Sequence, residues 1–388
     1  MTRVAFVLAL PEQAWLGGVS YFRNLLGALY ELPGRRIEPV LAIAAGAAPA
    51  FLAEMPPFER IALASLAEGG ARSFFRRAVR KLAGVDLVLQ QELLGHRIDV
   101  LSHSGHLGRR ARLPTLAWIP DFQHRRVPEL FPAREWAVRD RFYRDQCAYA
   151  TRVIVSSHAA RKDLAEFCGA ALGKSRVLQF VAAAPHPAAL PSWQALAAKY
   201  GCAEPYFFLP NQFWAHKNHA VVIEALALLK ARGVSLPVLA TGNTHDPRQP
   251  EHFPRLQARV KECGLEHEFR CLGLVPYADL MGLMWHSVAV LNPSKFEGWS
   301  TSVEEAKSLG KAVILSDIEV HREQAPPGSV YFGPDDAQAL DARMQEVHAA
   351  RGDAALASEA RARLPGRREA FARQFEEIVL ESSAWAGI

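Results

Sequence analysis

The sequence is poor in the features that would place it outside an ordinary globular class. Its five cysteines, Cys147, Cys168, Cys202, Cys263 and Cys271, are odd in number, scattered and without a C-x-x-C pair. That excludes a disulfide framework and a cysteine-based zinc site, and it fits reduced thiols. No run of about eighteen apolar residues occurs, so no segment is expected to span a membrane. The first apolar stretch is cut short by Pro11 and Glu12. It lacks the length and cleavage site of a secretory signal, and residues 4–10 read as a first strand. No G-x-G-x-x-G follows that strand, which disfavours a dinucleotide cofactor. No D-x-D of the kind that holds a divalent cation under a diphosphate is present, and there is no short-period repeat. An excess of positive charge of only +5 suits an anionic ligand or an anionic membrane surface and is too weak to imply nucleic acid.

What is present is an alternation. The chain of 388 residues is 50% hydrophobic and 22% charged, enough for about two domains, each with its own core. In the first half VAFVLAL, PVLAIAA, DVLSHS, TLAWIP and RVIVSS read as strands, with helical periodicity in VSYFRNLLGALYEL and EWAVRDRFYRDQCAYA between them. Residues 182–192, AAAPHPAALPS, lack periodicity and read as a linker. The alternation then restarts with YFFLPN, HAVVIEALALLKARG, LPVLATG, PRLQARVKECG, EFRCLG, YADLMGLMWHS, VAVLNPS, AVILSD and SVYFGP. The expected fold class is α/β: two Rossmann-like domains, residues 1–185 and 193–364, facing a central cleft. An amphipathic C-terminal helix in residues 365–388 would return to the first domain.

The stretch PSKFEGWSTSVEEA, residues 293–306, carries most of the chemistry. It joins a strand end to a helix. Gly298 lets backbone approach a ligand, Thr301 or Ser302 would cap the helix, and Gly310 would end it. A capping box accounts for one glutamate of the pair Glu304–Glu305 but not for Glu297. Free N–H groups at a helix start hold an anion, and neighbouring carboxylates accept hydrogen bonds from sugar hydroxyls. The pattern fits a phosphorylated sugar, with Glu297 and Glu305 on its hydroxyls and Glu304 left to capping or solvation.

Lys217, in LPNQFWAHKNHAVVIEAL, falls at the start of an apolar helix, where a cation opposes the helix dipole unless an anion lies between them. Near the N-terminus, Gly17 and Gly18 sit between the first strand and the first helix and form either a phosphate or sugar approach loop or an ordinary turn. Asp121 and His124, in AWIPDFQHRRVPELF, follow another strand end. There His124 would orient the sugar, polarise an acceptor hydroxyl or hold a product phosphate, and Asp121 would fix its tautomer or the acceptor, unless both only stabilise the loop. His103 and His106 have poor metal spacing and receive no role. In GGARSFFRRAVRKLAG, residues 69–84, Phe75, Ala78, Val79 and Leu82 form one helical side, and Arg72, Arg76, Arg77, Arg80 and Lys81 crowd the rest. Such a helix would lie on an anionic bilayer or pack its apolar side on its own domain; the second reading is preferred.

These residues resemble the retaining GT-B glycosyltransferases of family 4. EGWSTSVEE looks like that family's E-x7-E motif, and NQFWAHKN like its donor-phosphate loop. The resemblance runs in order over nearly the whole chain. It implies that Glu305 binds ribose hydroxyls, Glu297 binds the donor sugar, and Trp299, Ser300 and Thr301 offer backbone N–H groups. It also implies that Lys217 holds the diphosphate, that Leu274 and Val275 line the base pocket, and that His124 contacts the sugar. Many members carry an arginine five residues before the lysine; here it is Gln212, which donates hydrogen bonds but brings no charge. The implied activity is transfer of a sugar from a nucleotide-diphospho-sugar to a hydroxyl acceptor, with retention and without a metal or other cofactor. Its implied partners are that donor and a glycan or lipid-linked acceptor in bacterial surface polysaccharide or lipopolysaccharide synthesis. The place of work would be the cytoplasm, including the face of the cytoplasmic membrane. A nucleotide-sugar 2-epimerase or a non-catalytic nucleotide-sugar-binding protein are the alternatives.

Overall fold

The computed structural model describes residues 1–8, 16–46, 50–67, 69–109, 111–350 and 354–384. The chain divides into two compact units. One comprises Met1–Phe122, Arg134–Val181 and Gly366–Ile388; the other comprises Gln123–Ala133 and Ala182–Pro365.

The first unit holds seven parallel strands: β1 (Thr2–Val7), β2 (Ile37–Ala44), β3 (Glu59–Leu63), β4 (Val100–Ser102), β5 (Thr115–Ile119), β6 (Arg152–Val155) and β7 (Ser175–Val177), in the order β3-β2-β1-β4-β5-β6-β7. The second holds six: β8 (Phe207–Pro210), β9 (Val238–Thr241), β10 (Phe269–Cys271), β11 (Val290–Asn292), β12 (Val313–Ser316) and β13 (Val330–Phe332), in the order β10-β9-β8-β11-β12-β13. Helices follow most strands. A parallel sheet covered on both faces needs strands that are apolar throughout rather than alternating. In β9 and β12 every residue is buried, and only the last of each, Thr241 and Ser316, is polar. One face of the second sheet is covered by Val222, Leu226 and Leu229 of helix His219–Ala231, and the other by Met281, Val303 and Leu309. At about 1.5–3 kcal/mol per buried aliphatic side chain, these layers supply the main stabilisation of the unit.

Residues 4–10 form a shorter strand than expected. β1 ends at Val7, Leu8 is buried and donates its N–H to Ala42 O at 2.9 Å, and residues 9–15 lie outside the described residues. Gly17 and Gly18 do not precede the first helix; they occupy its first turn, since the helix runs Leu16–Glu31. The expected linker at 182–192 is not a loose tether. The carbonyl of Ala182 accepts from Ser308 Oγ at 2.8 Å, that of Pro191 lies 3.2 Å from His286 Nε2, and Leu190 packs into the core beside Tyr206. The last helix, Ala354–Ser383, includes Pro365, and its second half packs within the first unit. There Phe375 meets Phe6 at 5.6 Å between ring centres, and Arg36 and Arg368 pair with Glu376 and Glu31 at 3.1 and 2.9 Å.

The basic helix forms as Ala71–Ala83, but the preferred reading of its packing is overturned. Phe74, Phe75 and Leu82 stand in solvent, while Ser73 and the Arg76–Asp86 ion pair face the domain. The amphipathic period shows that one side is apolar and does not fix which side turns inward.

Candidate functional site

In the second sheet the strand order reverses between β8 and β11, which share a single register pair, Val290 with Phe208. Open α/β sheets bind ligands beyond the carboxyl ends of strands at such a switch. The two loops that leave it carry the residues singled out from sequence. After β8 come Asn211, Gln212, a short turn over Ala215–Lys217, and Asn218 at φ 57° before helix His219–Ala231. After β11 come residues 293–300 and then helix Thr301–Leu309.

Lys217 and Glu297 meet directly. Nζ donates to Oε1 at 2.6 Å, with the side chains 13% and 8% exposed. Ser294 Oγ lies 2.7 Å from the same carboxylate oxygen and equally from Asn292 Oδ1. The loops are also stitched through backbone. Lys295 N–H donates to His216 O at 2.8 Å, and Asn218 Nδ2 donates to Pro293 O at 3.1 Å and Pro334 O at 2.7 Å. Behind Ser294, Ser316 Oγ donates to its carbonyl at 2.5 Å. His321 Nδ1, 2.9 Å from Ser316 O, must carry the ring proton, which leaves Nε2 as an acceptor.

The helix that follows is capped differently from expectation. Its N-cap is Ser300, not Thr301 or Ser302, and the Ser300 side chain makes no capping bond. Its hydroxyl instead accepts from Asn292 Nδ2 at 2.7 Å. Gln324 clamps the Ser300 backbone from both sides, accepting from its N–H at 3.1 Å and donating to its carbonyl at 3.0 Å. The first-turn N–H groups of Thr301–Leu309 therefore open beside Glu297 without a serine hydroxyl filling them, the arrangement that suits an anion. Gly310 ends the helix at φ 72°, as its sequence position predicts. Glu305 is buried at the base of this turn. Glu304 is buried as well, beside Gln324 and Lys307, so solvation does not describe it.

Gln212 does not aim its whole amide outward. Its Oε1 accepts from Asn243 N–H at 2.9 Å, which ties the β8 loop to the β9 loop. Only its amide NH2 remains to meet an anion. A second cation stands on that β9 loop. Arg248 is held by Asp246 at 3.3 Å and sits over the rings of Trp214 and Phe131, 5.5 and 4.9 Å from their centres. Leu274 is exposed and Val275 half-buried on the loop after β10, where Gly273 O accepts from Gly242 N–H at 2.9 Å. Trp299 and Thr301 are half-buried at the helix start.

Several buried polar atoms here have no partner among the described residues: Asn211 Nδ2, Thr241 Oγ1, His216 Nδ1 and His321 Nε2. Left dry, each costs about 1–3 kcal/mol, and a polar ligand or water removes that cost. Burial, and then the neighbouring Lys217 charge, holds His216 well below its ordinary pKa; burial also lowers His321. Both rings are neutral hydrogen-bonding groups at neutral pH.

Gly17, Gly18 and Asp121 belong to the first unit, where Asp121 raises the pKa of Tyr143 after burial does. His124 lies on the helical turn Gln123–Arg126, is fully buried and belongs to the second unit, with its ring 6.5 Å from that of Phe131. His103 is a packing residue: its Nε2 lies 2.8 Å from Tyr21 Oη and its ring stacks on Phe6. Among the described residues no three His, Cys, Asp or Glu side chains gather as a metal site. Sequence reasoning missed Asn292, Ser294, Gln324, His321 and Arg248. Of these, only the Asn-Pro-Ser that ends β11 carried a local signal, since a buried asparagine at a strand end must bond to its loop.

Residues 202–363 match the family model described as Glycosyl transferases group 1. A curated relative, the O-antigen chain mannosyltransferase RfbU of Salmonella typhimurium, is 26% identical over 145 residues, 37% of this chain and 38% of its own. The aligned part thus spans little more than a third of that relative. Among solved structures, Anabaena Alr3699/HepE in complex with UDP and glucose matches 98% of this chain and 100% of its own, with a TM-score of 0.71 at 18% identity. The lipopolysaccharide outer core galactosyltransferase WaaB matches 98% of this chain and 99% of its own, with a TM-score of 0.59 at 16% identity. The fold is GT-B, two Rossmann-like domains with parallel sheets of seven and six strands.

Proposed function

We propose that this protein is a retaining, metal-independent glycosyltransferase of family 4 that moves a sugar from a nucleotide-diphospho-sugar to a hydroxyl of a glycan or lipid-linked acceptor in bacterial surface polysaccharide or lipopolysaccharide synthesis. Its place of work is the cytoplasm and the cytoplasmic face of the membrane. The observation that carries this reading is the Lys217–Glu297 pair at the sheet's switch point, next to the open N-terminus of Thr301–Leu309.

The pair is a resting state with a built-in exchange. A diphosphate offers Lys217 more negative charge than one carboxylate and draws the ammonium away. Glu297, released, accepts hydrogen bonds from the donor sugar, and Glu305 accepts from the ribose. Leu274 and Val275 cover the base. Lys217, the Gln212 NH2 and the helix N–H groups stabilise charge as it grows on the leaving diphosphate. The bond from the anomeric carbon to the phosphate oxygen breaks through an oxocarbenium-like transition state. A bond to the acceptor oxygen forms on the same face, and the acceptor proton passes to the departing phosphate oxygen. His124 contacts the sugar, and Asp121 fixes its tautomer or the acceptor. Lys217 supplies the positive charge that a divalent ion would otherwise bring.

A panel of UDP-, GDP-, ADP- and dTDP-sugars tests this by thermal shift and by slow donor hydrolysis, with and without EDTA. One nucleotide class should raise the unfolding temperature and be hydrolysed equally in chelator. No stabilisation by any donor overturns the reading, chelator-sensitive turnover overturns its metal-free part, and conversion of the donor sugar without an acceptor assigns the site to an epimerase.

A further inference from the structure

We propose that helix Ala71–Ala83 is a docking surface that seats the protein on an anionic lipid bilayer. This deepens the reading above by naming the surface that meets the membrane. At about 100° per residue, Ala71, Phe74, Phe75, Ala78 and Leu82 fall within one arc of about 100°. An ordinary surface helix turns such an arc inward. This one turns it outward: Phe74, Phe75 and Leu82 are 69%, 59% and 89% exposed.

The inward side is polar and firmly tied. Arg76 Nε donates to the buried Asp86 at 2.8 Å, Arg76 Nη1 to Ser65 O at 3.4 Å, and Ser73 is buried. Gly84, at φ 66°, closes the helix. The helix is thus fixed in place by its hydrophilic edge, which leaves three large apolar side chains in water at a cost of about 1.5–3 kcal/mol each if nothing covers them.

The charge around the arc says what covers them. Arg77, Arg80 and Lys81 are exposed and have no carboxylate partner among the described residues, whereas Arg72 pairs with Glu92 at 3.0 Å. Lys81 and Arg77 border one side of the apolar arc. Apolar side chains flanked by long cationic ones match a leaflet in which phenyl and leucyl groups enter the headgroup–acyl boundary and the cations stay among lipid phosphates. No helix of the described residues is long and apolar enough to cross a membrane, so contact through this helix lies on the surface.

Co-sedimentation with phosphatidylcholine vesicles, with and without phosphatidylglycerol, tests the proposal. The protein should bind the anionic vesicles, bind the neutral ones far less, and detach as salt screens the charges. Arg77→Gln with Lys81→Gln should weaken partitioning about thirtyfold. Phe74→Ser, Phe75→Ser and Leu82→Ser together should abolish it. Neither variant should lower the unfolding temperature, because the altered side chains touch no core. Absence of binding to anionic vesicles, or equal binding by the apolar triple variant, overturns the proposal. So does a concentration-dependent dimer, lost in that variant, in the absence of vesicle binding; the face would then join two copies of the chain. Vesicle binding needs no sugar nucleotide, so its failure and that of the transferase reading are separate results.

Discussion

Lys217 Nζ and Glu297 Oε1 lie 2.6 Å apart across the switch between β8 and β11, although 80 residues separate them in sequence. Neither side chain is fully exposed, so removing one leaves the other poorly solvated and unpaired. Lys217→Met should therefore destabilise the ligand-free protein by about 1–3 kcal/mol in urea unfolding and weaken donor binding about a hundredfold in titration calorimetry. Glu297→Gln still accepts from Lys217 but carries no charge toward the sugar. It should keep near-normal stability and nucleotide affinity while kcat falls by about two to three orders of magnitude. Near-normal turnover by that variant would show that the carboxylate has no part in the reaction.

Gly242 joins the fold to this site. A Cβ there would lie 2.4 Å from Asn211 O and 2.9 Å from Gln212 Cα, at a φ of 145° that only glycine adopts with ease. Gly242→Ala must push the β9 loop off the loop that carries Gln212 and Lys217. The expected result is a loss of about 2–3 kcal/mol together with weaker donor binding. Gly310→Ala supplies the control: its Cβ would meet Leu356 O at 2.4 Å, away from the bonds that hold Lys217 and Glu297. That variant should lose comparable stability while the protein that remains folded binds donor normally.

Gln324 bonds both backbone groups of Ser300, the residue from which the anion-facing helix starts. Gln324→Ala strands the buried Ser300 N–H, leaves the Ser300 carbonyl with the Glu304 N–H as its remaining donor at 3.1 Å, and lets the helix start drift. Donor KM should rise about tenfold in steady-state kinetics, with a thermal unfolding midpoint several degrees lower. Gln324→Glu restores the acceptor for the Ser300 N–H and should recover part of the affinity if the clamp on that N–H is what matters.

Much of this was legible before the structure, and the reasons are specific. β8, β9, β11 and β12 are short, apolar except for Thr241, Asn292 and Ser316 at their ends, and followed by loop residues, so the apolar runs alone find them. Glu297 stood out because capping did not explain it, and Lys217 because a cation at a helix start is electrostatically misplaced. What stayed hidden depends on partners distant in sequence. Which of three consecutive hydroxyl residues starts the helix is decided by Asn292 and Gln324, not by the local motif. That the apolar side of Ala71–Ala83 faces water is decided by Asp86, which captures Arg76 from outside the helix. Gln123–Ala133 belongs with the second unit because Phe131 and Gln123 meet Arg248, 117 and 125 residues onward. No window of sequence contains both ends of such contacts.

Acid should unfold this protein through its buried histidines. His219 stacks on Phe213 with ring centres 4.2 Å apart, and burial first, then the nearby His252, pushes its pKa from 6.5 down to about 3. The folded state therefore binds a proton less readily than the unfolded chain. Above pH 6.5 the ring is neutral in both states and its contribution to stability is complete. As pH falls from 6.5 toward 3 the unfolded state takes up the proton alone, and folding weakens by about 1.4 kcal/mol per pH unit for this residue. His216, lowered in the same direction by burial, adds to the slope. Urea midpoints measured from pH 7.5 to 4.5 should fall steadily. His219→Phe keeps a ring against Phe213 but has nothing to protonate, so its curve should be flatter by close to one proton. Parallel curves for the two proteins would show that His219 takes up its proton as readily in the folded state as in the unfolded one.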